Sequence, residues 1–128
     1  MVRRVRTPVR LFWRAIRLRC PNCGAGQLFE SWFRIRPRCP QCGLATERQE
    51  DGYQVGAYML NIVASELIFA AMFLGVLWYT WPEPPWPMLQ IVGVSVMILA
   101  PFLFYPFSKT LFLAFDLAFR PANQDELV

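Results

Sequence analysis

The sequence predicts a mainly α-helical membrane protein: an N-terminal zinc-ribbon-like four-cysteine head, a hairpin of two transmembrane helices and a C-terminal interfacial helix. Three observations predict it. Two Cys-x-x-Cys motifs face each other across a short interval, two long runs carry almost no charge, and the basic residues crowd into one half. Of the 13 Lys and Arg residues, all but Lys109 and Arg120 lie within the first 53 positions. Such asymmetry points to a membrane or a nucleic acid as partner. The chain has no histidine, which removes the commonest general base and the imidazole metal ligand.

Residues 1–19 read as a basic amphipathic segment. Thr7 is placed to cap a helix and Pro8 suits its first position. Arg10, Arg14 and Arg17 then share one face, and Phe12 and Ile16 another. That is the pattern of a helix on anionic headgroups, with an Arg-rich solvated helix as the alternative. No long apolar stretch precedes Cys20, which argues against a secretory signal; a mitochondrial presequence stays open.

Residues 20–53 form the expected head. Cys20-Pro21-Asn22-Cys23-Gly24 is answered by Cys39-Pro40-Gln41-Cys42-Gly43. The interval fits paired zinc knuckles, in which two tight turns aim four sulfurs at one tetrahedral ion. A glycine after each second cysteine permits the positive φ that such a turn requires. Cys20, Cys23, Cys39 and Cys42 are therefore the expected ligands of a structural Zn²⁺, with a four-thiolate iron site as the alternative. Disulfides are disfavoured in a reducing compartment, and a thioredoxin-like site would need a larger α/β domain. Leu28, Phe29, Trp32, Phe33 and Ile35 are expected to form a minimal core on a short β-hairpin. Arg34, Arg36 and Arg38 give that hairpin a basic face for lipid headgroups or a protein partner. With Trp32 and Phe33 they also suit a nucleic-acid surface, the less favoured reading.

The spacing predicts transmembrane helix 1 over 54–81, a Pro/Trp turn over 82–87 and transmembrane helix 2 over 88–107. Each run matches the roughly 20 apolar residues that cross a bilayer core. The turn is rich in proline, and Trp78, Tyr79, Trp81 and Trp86 surround it as an interfacial belt would. The turn has no basic residue, so the positive-inside rule puts both termini in the cytoplasm. Within the first span, Asn61, Ser65 and Glu66 form a possible intramembrane polar site. Glu66 is the one carboxylate there, and a charge at mid-bilayer costs about 3 kcal/mol on insertion scales. Residues 108–120 read as an interfacial helix, with Asp116 and Arg120 spaced for an i,i+4 ion pair. Residues 121–128 read as a flexible polar tail.

The order of these landmarks resembles a known family. A basic start, the Cys20 to Phe29 knuckle, the Cys39 to Leu44 knuckle, Glu50-Asp51-Gly52 and a two-span hairpin are similar to the bacterial family called domain of unknown function 983. Tyr105-Pro106-Phe107-Ser108-Lys109-Thr110-Leu111 with Asp116 resembles one branch of it. The resemblance covers roughly residues 17 to 121 and implies a bacterial inner-membrane protein. It brings no established activity; members encoded near respiratory-oxidase assembly genes imply a role in membrane complexes. The polar content of the first span, Asn61, Ser65 and Glu66, departs from the commoner branch.

The expected function is that of a non-enzymatic, membrane-anchored zinc ribbon that docks other membrane or cytoplasmic proteins, or a second copy of itself. A closed metal site, no histidine and no nucleophile–base pair argue against catalysis. The alternatives are a transporter or enzyme-complex component using Glu66, and a membrane-tethered nucleic-acid binder.

Overall fold

A computed structural model of the chain describes residues 7–48, 51–123 and 127. Arg3, Arg4, Arg6, Glu50 and half of the expected tail (124–126 and 128) lie outside the described residues. The elements run α1 (Pro8–Ile16), β1 (Phe29–Ser31), β2 (Arg34–Ile35), α2 (Tyr53–Thr80) and α3 (Trp86–Phe119).

Helix α1 begins at Pro8, whose fixed φ and missing N–H cost nothing in a first turn. Thr7 precedes it but makes no side-chain cap; its carbonyl accepts from the Arg10 N–H at 2.9 Å. Leu11 and Ala15 are buried on the side facing α3, while Val9, Trp13 and Ile16 remain exposed. Ile16 thus lies opposite the buried face.

Helices α2 and α3 have 28 and 34 residues. At 1.5 Å per residue they are about 42 and 51 Å long. Only 11% and 17% of their most apolar stretches are buried. A soluble core helix would be buried over most of its length, so these two belong in a bilayer. The fold is that of a mainly helical membrane protein with a cysteine-rich head. Gly56 marks the close approach of the pair, because a Cβ there would collide with the Phe112 ring.

One expectation changes. The sequence separates an interfacial helix over 108–120 from the second span, but the backbone continues unbroken from Trp86 to Phe119. The reason is burial. Thr110, Leu113, Ala114 and Leu117 are covered by α1, the cysteine head and Tyr53. The last turns of α3 therefore complete the core of the head rather than lying on lipid. Thr110 Oγ1 donates to the Ala15 carbonyl at 2.9 Å, tying the end of α1 to α3.

The β-hairpin is also smaller than expected. Phe29 pairs with Ile35 and Ser31 with Arg34, antiparallel and with an irregular register. An isolated bridge joins Arg38 to Ala45. Of the five expected core residues only Leu28 is fully buried. Phe29 and Ile35 are partly covered, and Trp32 and Phe33 project from the tip. The core was expected inside the head alone; α1 and α3 supply the missing walls.

Candidate metal centre

The two knuckles have the same backbone plan. Gly24 N–H donates to the Cys20 carbonyl at 2.8 Å, and Gly43 N–H to the Cys39 carbonyl at 3.0 Å. Cys20 N–H bonds the Ala25 carbonyl and Cys39 N–H the Leu44 carbonyl, both at 2.9 Å. Gly24 and Gly43 take φ of 85° and 73°, where a side chain is strained. Gly24 has a second reason to be glycine. An added Cβ would stand 3.3 Å from the Arg14 guanidinium.

These turns bring Cys20, Cys23, Cys39 and Cys42 together, with all four sulfurs within 4.8 Å of one another. Cys20 Sγ is 3.8 Å from Cys42 Sγ, and Cys23 Sγ is 3.6 Å from Cys39 Sγ. A tetrahedron with metal–sulfur bonds of ~2.3 Å has edges of about 3.8 Å, so the spacing fits one ion. It is far too long for a disulfide, and all four cysteines are free. The cluster can hold a metal ion. Cys20 and Cys39 are buried and Cys23 and Cys42 half-buried.

Electrostatics argue the same way. Burial pushes the Cys20 thiol well above its ordinary value, against the lowering effect of a Cys23 backbone hydrogen bond. Burial also raises Cys23, opposed by the Ala25 N–H, which lies 3.4 Å from its sulfur. Cys39 is also penalised by burial, but hydrogen bonds from the Cys42 and Gln41 backbone outweigh it and lower the thiol. Four thiolates packed this closely repel one another, and a cation among them relieves the repulsion.

The arginines expected to share one lipid or partner surface divide into groups. Arg14 Nη1 donates to the Asn22 carbonyl at 3.0 Å and reaches the Pro21 carbonyl at 3.4 Å. Arg38 Nη1 donates to the Gly43 carbonyl at 3.3 Å. Each knuckle is thus braced by one guanidinium that donates to its backbone carbonyls, a need that the sequence pattern does not reveal. Arg34 is exposed and pairs with Glu30 at 3.3 Å, and Arg36 is half-buried. Arg10 and Arg17 are exposed on α1, with Arg17 over the Trp13 ring at 4.6 Å.

The polar residues of the first span divide as well. Asn61 and Ser65 are buried against α3. Asn61 Nδ2 donates to the Pro101 carbonyl at 3.1 Å, and Ser65 Oγ to the Asn61 carbonyl at 2.8 Å. Glu66 is exposed on the outside of the hairpin. The three do not converge.

Two features escape sequence reasoning. The first joins the head to the spans by charge. Arg48 Nη1 lies 3.0 Å from Asp116 Oδ2, and the Tyr53 hydroxyl 3.3 Å from the same oxygen. Arg120 meets Asp116 Oδ1 at 2.9 Å, and Arg48 also donates to the Arg120 carbonyl. The Asp116–Arg120 half is visible as i,i+4 spacing; Arg48 is 68 residues away from Asp116 and no local pattern signals it. The second joins them by a single donor. Trp32 Nε1 donates to the Phe102 carbonyl at 2.9 Å. That carbonyl would ordinarily bond the N–H of residue 106, which is proline. Pro106 was the available signal. Phe33 packs against Phe102 and Tyr105 beside it.

No curated protein and no solved structure matches the chain. The family described as protein of unknown function, DUF983, matches residues 29–116. The match contains the second knuckle, α2 and α3 as far as Asp116. On that match the chain belongs to the DUF983 family.

Proposed function

We propose that the chain is a non-enzymatic, membrane-anchored zinc ribbon of the bacterial inner membrane, which presents a rigid cytoplasmic surface to other membrane or cytoplasmic proteins. The observation that carries this reading is the fusion of the four-thiolate cluster to the end of α3 through one shared core. Four protein sulfurs fill a tetrahedral ion, leaving no position for water or substrate, so the metal's work is to hold shape. Zinc is favoured over iron because a closed four-thiolate site in a small head suits a redox-inert structural ion. The absence of basic residues between Gln54 and Ser108 supports a turn on the far side of the bilayer and both ends in the cytoplasm.

The exposed stripe Val9, Trp13 and Ile16, flanked by Arg10 and Arg17, supports contact of α1 with anionic headgroups. The nucleic-acid reading draws less support, since Arg34 is engaged by Glu30 and Arg38 reaches the Gly43 carbonyl. A transport path through the hairpin draws little, since Glu66 faces away from Asn61 and Ser65.

The test has two arms. Elemental analysis of the purified full chain should find one zinc per molecule, lost on Cys20→Ser. Mild-detergent purification from native membranes should recover a stable partner complex that the Cys20→Ser protein does not form. Metal-free native protein, or recovery of the free chain alone, would refute the reading.

A further inference from the structure

We propose that the outward face of α2 around Glu66 is a pairing surface for a second copy of this chain. Glu66 lies 13 residues after Tyr53 and 14 before Thr80, at the midpoint of α2. It follows Ser65 by one residue and is therefore turned about 100° around the helix from it. Ser65 and Asn61 face α3 and are bonded within the hairpin. Glu66 faces outward, and no hydrogen bond or ion pair reaches it among the described residues. The carboxyl group is thus presented to the hydrocarbon at the depth where it is most costly, with nothing among the described residues to offset that cost.

The chemistry of the occupant follows from what Glu66 offers. In hydrocarbon a carboxyl group needs a polar partner to satisfy it. A carboxylic acid offers one O–H donor and one carbonyl acceptor, side by side. Its complement is a group with the same two functions in the reversed order. A second Glu66 related by a twofold axis supplies that complement, and both copies are then satisfied at once. The surrounding surface permits the approach. Met59, Ile62 and Val63 are exposed and apolar on this side, and Ala70, one turn beyond Glu66, is too small to hold a facing helix away. The face carries no second charge for an unlike partner to recognise. Glu66 is its single polar mark, and that mark is self-complementary.

The inference rests on the bilayer-spanning reading and not on the metal or on a docking partner, so each can fail alone. The test uses the full chain, metal content intact, labelled and reconstituted in phosphatidylcholine vesicles over a range of protein-to-lipid ratios. Energy transfer between donor- and acceptor-labelled copies reads pairing. Wild type should pair. Glu66→Gln, whose amide keeps a donor and an acceptor, should pair within a few-fold of wild type. Glu66→Leu should pair at least tenfold more weakly, with unchanged helix content and bound metal. A wild-type chain that stays monomeric at every dilution overturns the proposal, as does a Glu66→Leu chain that pairs as tightly as wild type. The wild-type measurement stands even where a variant fails to fold.

Discussion

At the residue scale, two kinds of group do the structural work: sulfur at the knuckles and a few polar side chains that answer stranded backbone atoms. Burial holds protons on Cys20 and Cys23 in the metal-free head. An incoming dication must displace them, so apparent metal affinity should rise with pH across the neutral range. Chelator competition at several pH values reads this, and calorimetry in buffers of different ionisation enthalpy should show proton release. The sign for stability is the reverse. A thiol with a raised folded-state value stabilises the metal-free fold below the ordinary 9.0 and loses that contribution as pH climbs past it. Cys39 is lowered and opposes this in part. The metal-free protein should therefore melt at lower temperature above pH 9, and the loaded protein should not. Removing Asp116 leaves the buried Arg48 without its carboxylate. Asp116→Ala should cost about 3 kcal/mol, the low end for breaking a buried pair, because the Arg120 side is half-exposed. The four sulfurs were legible in the sequence because two-residue spacing dictates their geometry. Arg48, Arg14 and Arg38 were not. Their partners are carbonyls and a carboxylate brought near by tertiary packing, and an arginine destined for a knuckle reads the same as one destined for water.

At the scale of elements, α3 decides the architecture. Two prolines sit inside it, Pro101 and Pro106. In lipid a stranded carbonyl must find another donor, and the Trp32 indole provides one for Phe102. Trp32→Phe should lower stability by roughly 0.5–1.5 kcal/mol, the net worth of one hydrogen bond, since the pair lies on the protein surface. Pro106→Ala restores an N–H to the helix. In that background Trp32→Phe should cost measurably less, and thermal unfolding of the four proteins in one detergent gives the coupling. Equal losses in both backgrounds would show that the indole acts through packing alone. Gly56→Ala should push against Phe112 and destabilise the hairpin by about 1–3 kcal/mol. The extent of α2 and the start of α3 were readable, since an uncharged run of this length has few other fates. The continuation of α3 into the head was not. Residues 108–119 are amphipathic, and amphipathic character alone does not say whether protein or lipid covers the apolar side. The reach of Trp32 to Phe102 crosses 70 residues and leaves no periodic trace.

At the scale of the whole molecule, head and hairpin share one core at their junction. Cys20 and Cys39 pack in the same core as Leu11, Tyr53, Leu113 and Ala114. Chelation should therefore raise amide exchange in α1 and over residues 110–117, and leave residues 60–80 protected. Exchange confined to residues 20–43 would separate the two units. The short link at the opposite end has its own consequence. Only Trp81 to Pro85 separate α2 from α3, and between Gln54 and Ser108 the ionisable acids are Glu66 and Glu83, with no base. With both ends in the cytoplasm, as proposed, the part that crosses the bilayer is a handful of residues bearing a single carboxylate. A wedge this small exposes little polar surface to the hydrocarbon as it crosses, and it carries no folded unit that would have to form on the other side.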